Sequence, residues 1–368
     1  MSFLVKQNLI YVNNRGGGRN ITIDYLKAFA IICVVFGHNI QYGSGIFYQK
    51  SNLFFDNFIF KFIYSFHMPL FMLISGYLFY FSSQKQIATN NIITNKFISL
   101  LLPALIWANI SFILKIVTGI EENSIMDLFK FYNTECITSL WFLRSVFINS
   151  VLVIIINRYF KDSLLIYITI FILQFFIPDG LNLYLYKFMY PYFIIGYLFN
   201  KHYNKNRIQY KFNSKILITI IGTIFFILLL FYNKNTYIYT TLIRITENNY
   251  QDQIWYDTYR YLIGILGSLF FILVFMRNKF NIPKINNFVL LLGRETMGIY
   301  IISTFINNNI MNHFSKHINQ FSILITCFET IIVLAICLIT IKFISKSKYL
   351  SLLLLGKSHI KKDALITK

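Results

Sequence analysis

Ten runs of mostly apolar residues, separated by short polar connections, leave this chain few folds to adopt. They fall near 22–42, 58–81, 97–118, 139–156, 163–178, 185–200, 216–232, 258–276, 288–306 and 321–341. A helix rises about 1.5 Å per residue, so about 20 apolar residues cross the hydrocarbon core of a bilayer. Lipid offers backbone groups no hydrogen-bond partner, and segments of this length satisfy them as helices. The pattern therefore predicts an all-α polytopic membrane protein with about ten transmembrane helices. Composition agrees, because 56% of the residues are hydrophobic and only 13% are charged. A soluble domain usually carries about 25% charged residues.

The formal charge of +20 raises the question of nucleic acid. Position answers it, since the basic residues lie in short connections between apolar runs and build no single binding face. With the N-terminus placed in the cytoplasm and sides alternating, 22 Lys and Arg fall inside, whereas the outer connections hold only Lys50, Lys130, Lys234, Arg244 and Lys316 beside nine acids. That asymmetry predicts an even number of spans with both termini cytoplasmic, and no nucleic-acid partner.

The chain reads as residues 1–21, a basic N-terminal segment; 22–341, one membrane domain; and 342–368, a basic tail. The first twenty residues carry no long apolar stretch of the signal-peptide kind, so the first span is expected to direct insertion. The outer connection near 233–257 is too short to fold alone. The cysteines, Cys33, Cys136, Cys327 and Cys337, lack CxxC spacing, which argues against a disulfide framework or structural zinc.

An ionisable side chain at the centre of a bilayer helix costs at least about 2.5–3.5 kcal/mol and normally faces protein or a water-filled cavity. Function is therefore sought among Asp24, Lys27, His38, His67, Arg144 and Glu329, with Lys61, Lys115, Lys187, Arg260, Arg294 and Glu295 nearer the ends of spans. In IDYLKAFAIICVVFGHN, residues 23–39, positions 27 and 38 are three helical turns apart and share a face, about 16 Å from one another along the axis. Gly37 beside His38 leaves room for a ligand or a neighbouring helix. Taken alone, Lys27 also reads as an end-of-helix lysine reaching the interface, and His38 as a core histidine satisfied by a neighbour.

In FIYSFHMPLFMLISGYLFYF, residues 62–81, Pro69 removes a backbone donor beside His67 and is expected to kink the helix, while Ser75 and Gly76 form a small-residue contact surface. In SLWFLRSVF, residues 139–147, Trp141 fits an interfacial aromatic belt, and Arg144 one turn deeper needs an oxygen partner, for which Glu329 is the most obvious acid. No nucleophile elbow, phosphate loop or HExxH zinc motif is present. His313 and His317 could ligate a metal four residues apart, but with no evident third ligand they read as a polar outer turn, and no metal is predicted.

RNITIDYLKAFAIICVVFGHN, FHMPLFMLISGYLF, SLLLPALIW, SLWFL and LGRETMGIYII, in that order over nearly the whole chain, resemble the acyltransferase family 3 membrane proteins. These bacterial enzymes O-acylate sugars and envelope polymers. The resemblance implies an O-acetyltransferase of the bacterial cytoplasmic membrane, with acetyl-CoA as donor and a cell-surface or lipid-linked saccharide as acceptor, working beside envelope-polysaccharide biosynthesis proteins. It makes His38 the essential histidine of the first span. Lys27 stands where the family has Arg, and Ser303 stands near a position where a histidine is common.

On that resemblance, Lys27 and Arg19 are expected to attract the CoA phosphates, with Asp24 orienting Lys27. His38 is the expected general base, His67 an assistant in positioning or proton transfer, and Arg144 a stabiliser of developing negative charge. An acyl-histidine relay is the mechanistic alternative. A flippase of lipid-linked sugars would also use buried charges and kinked helices, yet it explains neither the eleven-residue spacing nor the FHMPLF run.

Overall fold

A computed structural model describes residues 20–84, 89–117, 125–138, 140–206, 215–277, 283–311 and 320–357. Among them the secondary structure is helical throughout. In order come α1 (Ile21–Gly43), α2 (Phe58–Ser83), α3 (Thr89–Val117), α4 (Ile125–Thr138), α5 (Trp141–Phe160), α6 (Leu164–Phe176) and α7 (Leu183–Asn206). They are followed by α8 (Lys215–Leu230), α9 (Tyr250–Arg277), α10 (Pro283–Arg294), α11 (Thr296–Met311), α12 (Ile323–Ile344) and α13 (Lys348–Leu355).

Each of the ten predicted runs falls on helix, though not every one of those helices is by itself long and apolar enough for a span. Among the described residues six helices, α1, α2, α3, α5, α9 and α12, are long and apolar enough to cross a bilayer. Residues 287–311 add a seventh only if taken as one broken span, because α10 and α11 meet at a 74° bend. The 163–178 and 216–232 runs form the shorter helices α6 and α8. Helix α7 is 24 residues long, but its tyrosines, Lys187 and polar C-terminal turn reduce its apolar character.

Helices α1 and α2, which carry His38 and His67, each start from an asparagine cap. The Asn20 side chain accepts a hydrogen bond from the N–H of Ile23, and Asn57 accepts from Ile59 and Phe60, satisfying donors that a helix start leaves open. Helix α1 then packs among α2, α10, α11 and α12. Its contact with α10 is backbone to backbone: a Cβ on Gly293 would lie 2.1 Å from the Asp24 carbonyl oxygen. Lying this close to α1, α10 ends at Arg294, and α11 sets off in its new direction at Thr296.

Helix α2 continues through Pro69 from Phe58 to Ser83. It crosses α7 where Gly76 and Gly196 face each other's backbones: a Cβ on Gly76 would lie 2.0 Å from the Phe193 carbonyl oxygen, and one on Gly196 2.1 Å from that of Leu73. These glycines set how closely the His67-bearing helix approaches its neighbour.

The connection after α8 is strapped to the bundle. Asp179 accepts from the backbone N–H groups of Ile243 and Arg244 at 3.0 and 2.7 Å and from Lys187 Nζ at 2.7 Å. Arg260 donates to the Leu242 carbonyl and to Thr241, with Asp257 3.3 Å away. The basic tail is partly structured as well, since α13 is capped by Ser347 and accepts a hydrogen bond from Trp107 of α3 at 3.0 Å.

Candidate active site

Two cavities lie end to end along one face of α1. The inner one, about 140 Å³, is walled by Lys27, Ile31 and Val34 of α1, by Met68, Phe71, Ile74 and Ser75 of α2, by Phe142, Leu143 and Val146 of α5, and by Thr296, Met297 and Tyr300 of α11. The outer one, about 580 Å³, takes Val34, His38, Gln41 and Tyr42 from α1 and Tyr64, His67 and Met68 from α2. Positions 27, 31, 34 and 38 recur at helical spacing, so the predicted shared face of Lys27 and His38 is the face that both cavities follow.

At the inner end, Lys27 Nζ lies 3.8 Å from Asp24 Oδ1, one turn away on the same helix. Asp24 is buried, whereas the Lys27 side chain keeps 18% of its exposure. The carboxylate thus restrains the ammonium while leaving it reachable. Arg19 lies outside the described residues.

His38 and His67 share the wall of the outer cavity. The His67 ring nitrogen Nδ1 is 2.7 Å from the Ile63 carbonyl oxygen. A carbonyl only accepts, so the proton sits on Nδ1, and Nε2 of the neutral ring keeps its lone pair for an incoming donor. The ring meets that of Tyr64 edge-on at 4.8 Å. His38 is half-buried, its ring 6.2 Å from that of Tyr42, and its buried Nδ1 has no hydrogen-bond partner among the described residues. Next to it, Asn39 Nδ2 donates to Thr330 Oγ1 at 3.1 Å and ties α1 to α12. Gly37 serves helix approach: a Cβ there would lie 2.9 Å from the Tyr64 ring.

The rest of the outer wall had no signal in helical periodicity. Trp141, read as an interfacial belt residue, lines the cavity, as do Tyr184 and Asn182. Lys234, Tyr239 and Thr240 arrive on the strapped connection. Aromatic faces beside amides, hydroxyls and an ammonium suit a polar ligand with apolar faces.

Arg144 stands in neither wall. It is buried one turn beyond Trp141, hydrogen-bonded to Tyr186 and within electrostatic reach of Tyr300. The expected pairing with Glu329 is not made. Glu329 lies instead against Gly43 of α1, with Oε2 buried and without a hydrogen-bond partner among the described residues. Four of the charges near span ends are paired: Lys115 with Glu135, Lys187 with Asp179, Arg260 with Asp257, and Glu295 with Lys357. Ser303 is buried and donates back to the Tyr300 carbonyl at 3.3 Å. His313 and His317 lie outside the described residues.

Comparison with known proteins adds an independent line. A family model described as an acyltransferase domain matches residues 20–342. Nodulation protein NolL of Mesorhizobium japonicum is 29% identical over 238 residues, covering 64% of this chain and 62% of that protein. Nodulation protein NolL of Sinorhizobium fredii is 26% identical over 239 residues, 64% of each. The match thus spans less than two thirds of the length of these curated relatives. No solved structure matches the chain.

Proposed function

The chain belongs to the acyltransferase domain family, and from that premise we propose that it transfers an acetyl group from acetyl-CoA to a hydroxyl of a cell-surface or lipid-linked saccharide. The observation that carries this reading is the run of Lys27, Ile31, Val34 and His38 along two cavities that meet at Val34. A cation at one end and a pair of imidazoles at the other, about 16 Å apart along the helix, suit a donor with an anionic head and a long thin arm.

In this reading, Lys27, restrained by Asp24, attracts the phosphates of CoA together with Arg19. The arm lies along the apolar inner cavity, whose walls of Ile31, Phe71, Phe142 and Val146 exclude water from the thioester. The acceptor enters the outer cavity, where Trp141, Tyr184 and Tyr239 offer ring faces and Gln41, Asn52 and Asn182 offer hydrogen-bonding groups. His38 removes the hydroxyl proton as the oxygen attacks the thioester carbonyl, the carbon–sulfur bond breaks, and the proton passes to the departing thiolate. A general base of this kind contributes about 10²- to 10⁴-fold in rate. His67 receives or positions the acceptor hydroxyl through Nε2, and Arg144 stabilises charge from behind Tyr300.

The proposed setting is the bacterial cytoplasmic membrane, with about ten helical passes and both termini in the cytoplasm. Charge asymmetry supports that orientation, and the bent α10–α11 pair, the shorter helices α6 and α8 and the less apolar α7 bring the six to ten.

The test supplies purified protein with acetyl-CoA and the surface glycan extracted from cells lacking it. Mass spectrometry should find acetyl esters with wild type and none with His38→Gln at equal folded yield. Undiminished acetylation by His38→Gln would overturn the base assignment, and no thioester turnover by wild type would overturn the enzyme reading in favour of a transporter.

A further inference from the structure

Val34, Met68 and Tyr300 stand in the walls of both cavities, which makes them the partition between the Lys27 end and the histidine end. They come from three helices and differ in stiffness. Val34 is buried on α1, and its branched side chain has little rotamer freedom. Tyr300 is buried on α11, its ring edge-on to that of Phe142 at 5.9 Å. Met68 is only half-buried, sits between His67 and Pro69, and can swing about three single bonds.

The two spaces differ in chemistry as well as size. Apart from Lys27, Ser75, Thr296 and the Tyr300 hydroxyl, the inner walls are apolar, whereas the outer cavity is some four times larger and lined with imidazoles, amides and hydroxyls. Water is stable in the second kind of space and disfavoured in the first. A thioester held in the inner cavity is therefore separated from the water of the outer cavity by these three side chains.

Resting on the acyl-transfer reading above, we propose that Val34, Met68 and Tyr300 form a constriction through which the acyl end of the donor passes, with Met68 as its movable member. The constriction ties thioester cleavage to the presence of an acceptor and limits the acyl chain length that passes. In the productive step the acceptor oxygen bonds to the acyl carbon, the carbon–sulfur bond breaks, and the hydroxyl proton ends on the CoA sulfur. In the competing leak a water oxygen takes the acceptor's place, and the same bond cleavage gives acetate and free CoA thiol. Neither route needs an oxidant or reductant. Widening the partition favours the leak and admits longer chains, whereas plugging it stops both routes.

The experiment measures thiol release and glycan acetylation by purified full-length protein, with acetyl-CoA or butyryl-CoA, and with or without surface glycan extracted from cells lacking the protein. Met68→Ala should raise the ratio of hydrolysis to transfer on the order of tenfold and should improve butyryl-CoA relative to acetyl-CoA. Val34→Ala, on a different helix, opens the same partition and should shift both ratios in the same direction. Met68→Trp should lose transfer and hydrolysis together while still binding labelled CoA. Wild-type ratios in both alanine variants, each eluting as folded protein, would overturn the constriction. Absence of thiol release and acetyl ester with wild type would instead overturn the acyl-transfer reading on which it rests.

Discussion

Lys27 and His38 stand three turns apart on one face of α1, with Val34 between them in the wall of both cavities. A cation and a base on one rigid helix hold their separation regardless of loop motion. That separation is what a donor with a charged head and a distant reactive end requires.

Removing the cation should weaken donor capture and leave the chemistry intact. Lys27→Ala is expected to raise the KM for acetyl-CoA on the order of tenfold, equivalent to about 1.4 kcal/mol, with kcat little changed. Lys27→Arg should remain active, and the effect of the alanine variant should shrink as salt screens the partly exposed ammonium. Initial rates across an acetyl-CoA and salt series check this. An unchanged KM in the alanine variant counts against a role at the donor mouth.

His67 can be separated into its anchoring bond and its free nitrogen. Asparagine side chains in this chain already donate to the carbonyl one turn earlier, from Asn109 to Leu105 at 2.7 Å and from Asn149 to Ser145 at 2.9 Å. His67→Asn can therefore replace the bond to Ile63 while lacking Nε2. If Nε2 handles the acceptor hydroxyl, this variant should fold normally and lose transfer by about 10²-fold. Retained transfer would make His67 a packing residue.

The close crossing of α2 and α7 should not tolerate a methyl group. Gly76→Ala and Gly196→Ala each place a carbon against a backbone oxygen, at 2.0 and 2.1 Å in the present geometry. Overpacking of this sort costs about 1–3 kcal/mol, and because α2 carries His67, transfer should fall with stability. Thermal unfolding in detergent reads the first effect and initial rates the second.

Asp179 pins the connection that brings Lys234, Tyr239 and Thr240 to the outer cavity. Asp179→Ala also strands the buried Lys187, and breaking a buried ion pair on one side costs about 3–5 kcal/mol. A large drop in unfolding temperature and a raised KM for the acceptor, but not for acetyl-CoA, are expected. Equal changes in both KM values would point to general loss of structure.

Helix placement was legible because hydrophobic length is a local property, and each predicted run coincides with helix. The number of spans was less so. The 288–306 run looks continuous in sequence, yet α10 lies on the backbone of α1 at Asp24 and the chain turns by 74° before α11. Trp141 and Arg144 show the same limit, since an interfacial belt and a cavity wall demand the same side chain. Burial against Tyr186 and Tyr300, rather than beside Glu329, depends on residues 42 and 156 positions further along the chain.

Residue order alone establishes that the chain is a helical membrane protein, that Lys27 and His38 share a face of the first helix, and which family it belongs to. Each follows from spacing within one helix or from motif order along the chain. Packing in three dimensions is what brings His67 into the same cavity as His38, Met68 and Tyr300 against Val34 between the two spaces, and Glu329 against Gly43 rather than beside Arg144. A helix's own periodicity sets which residues share a face, but the partner of that face is set by close packing among separate helices.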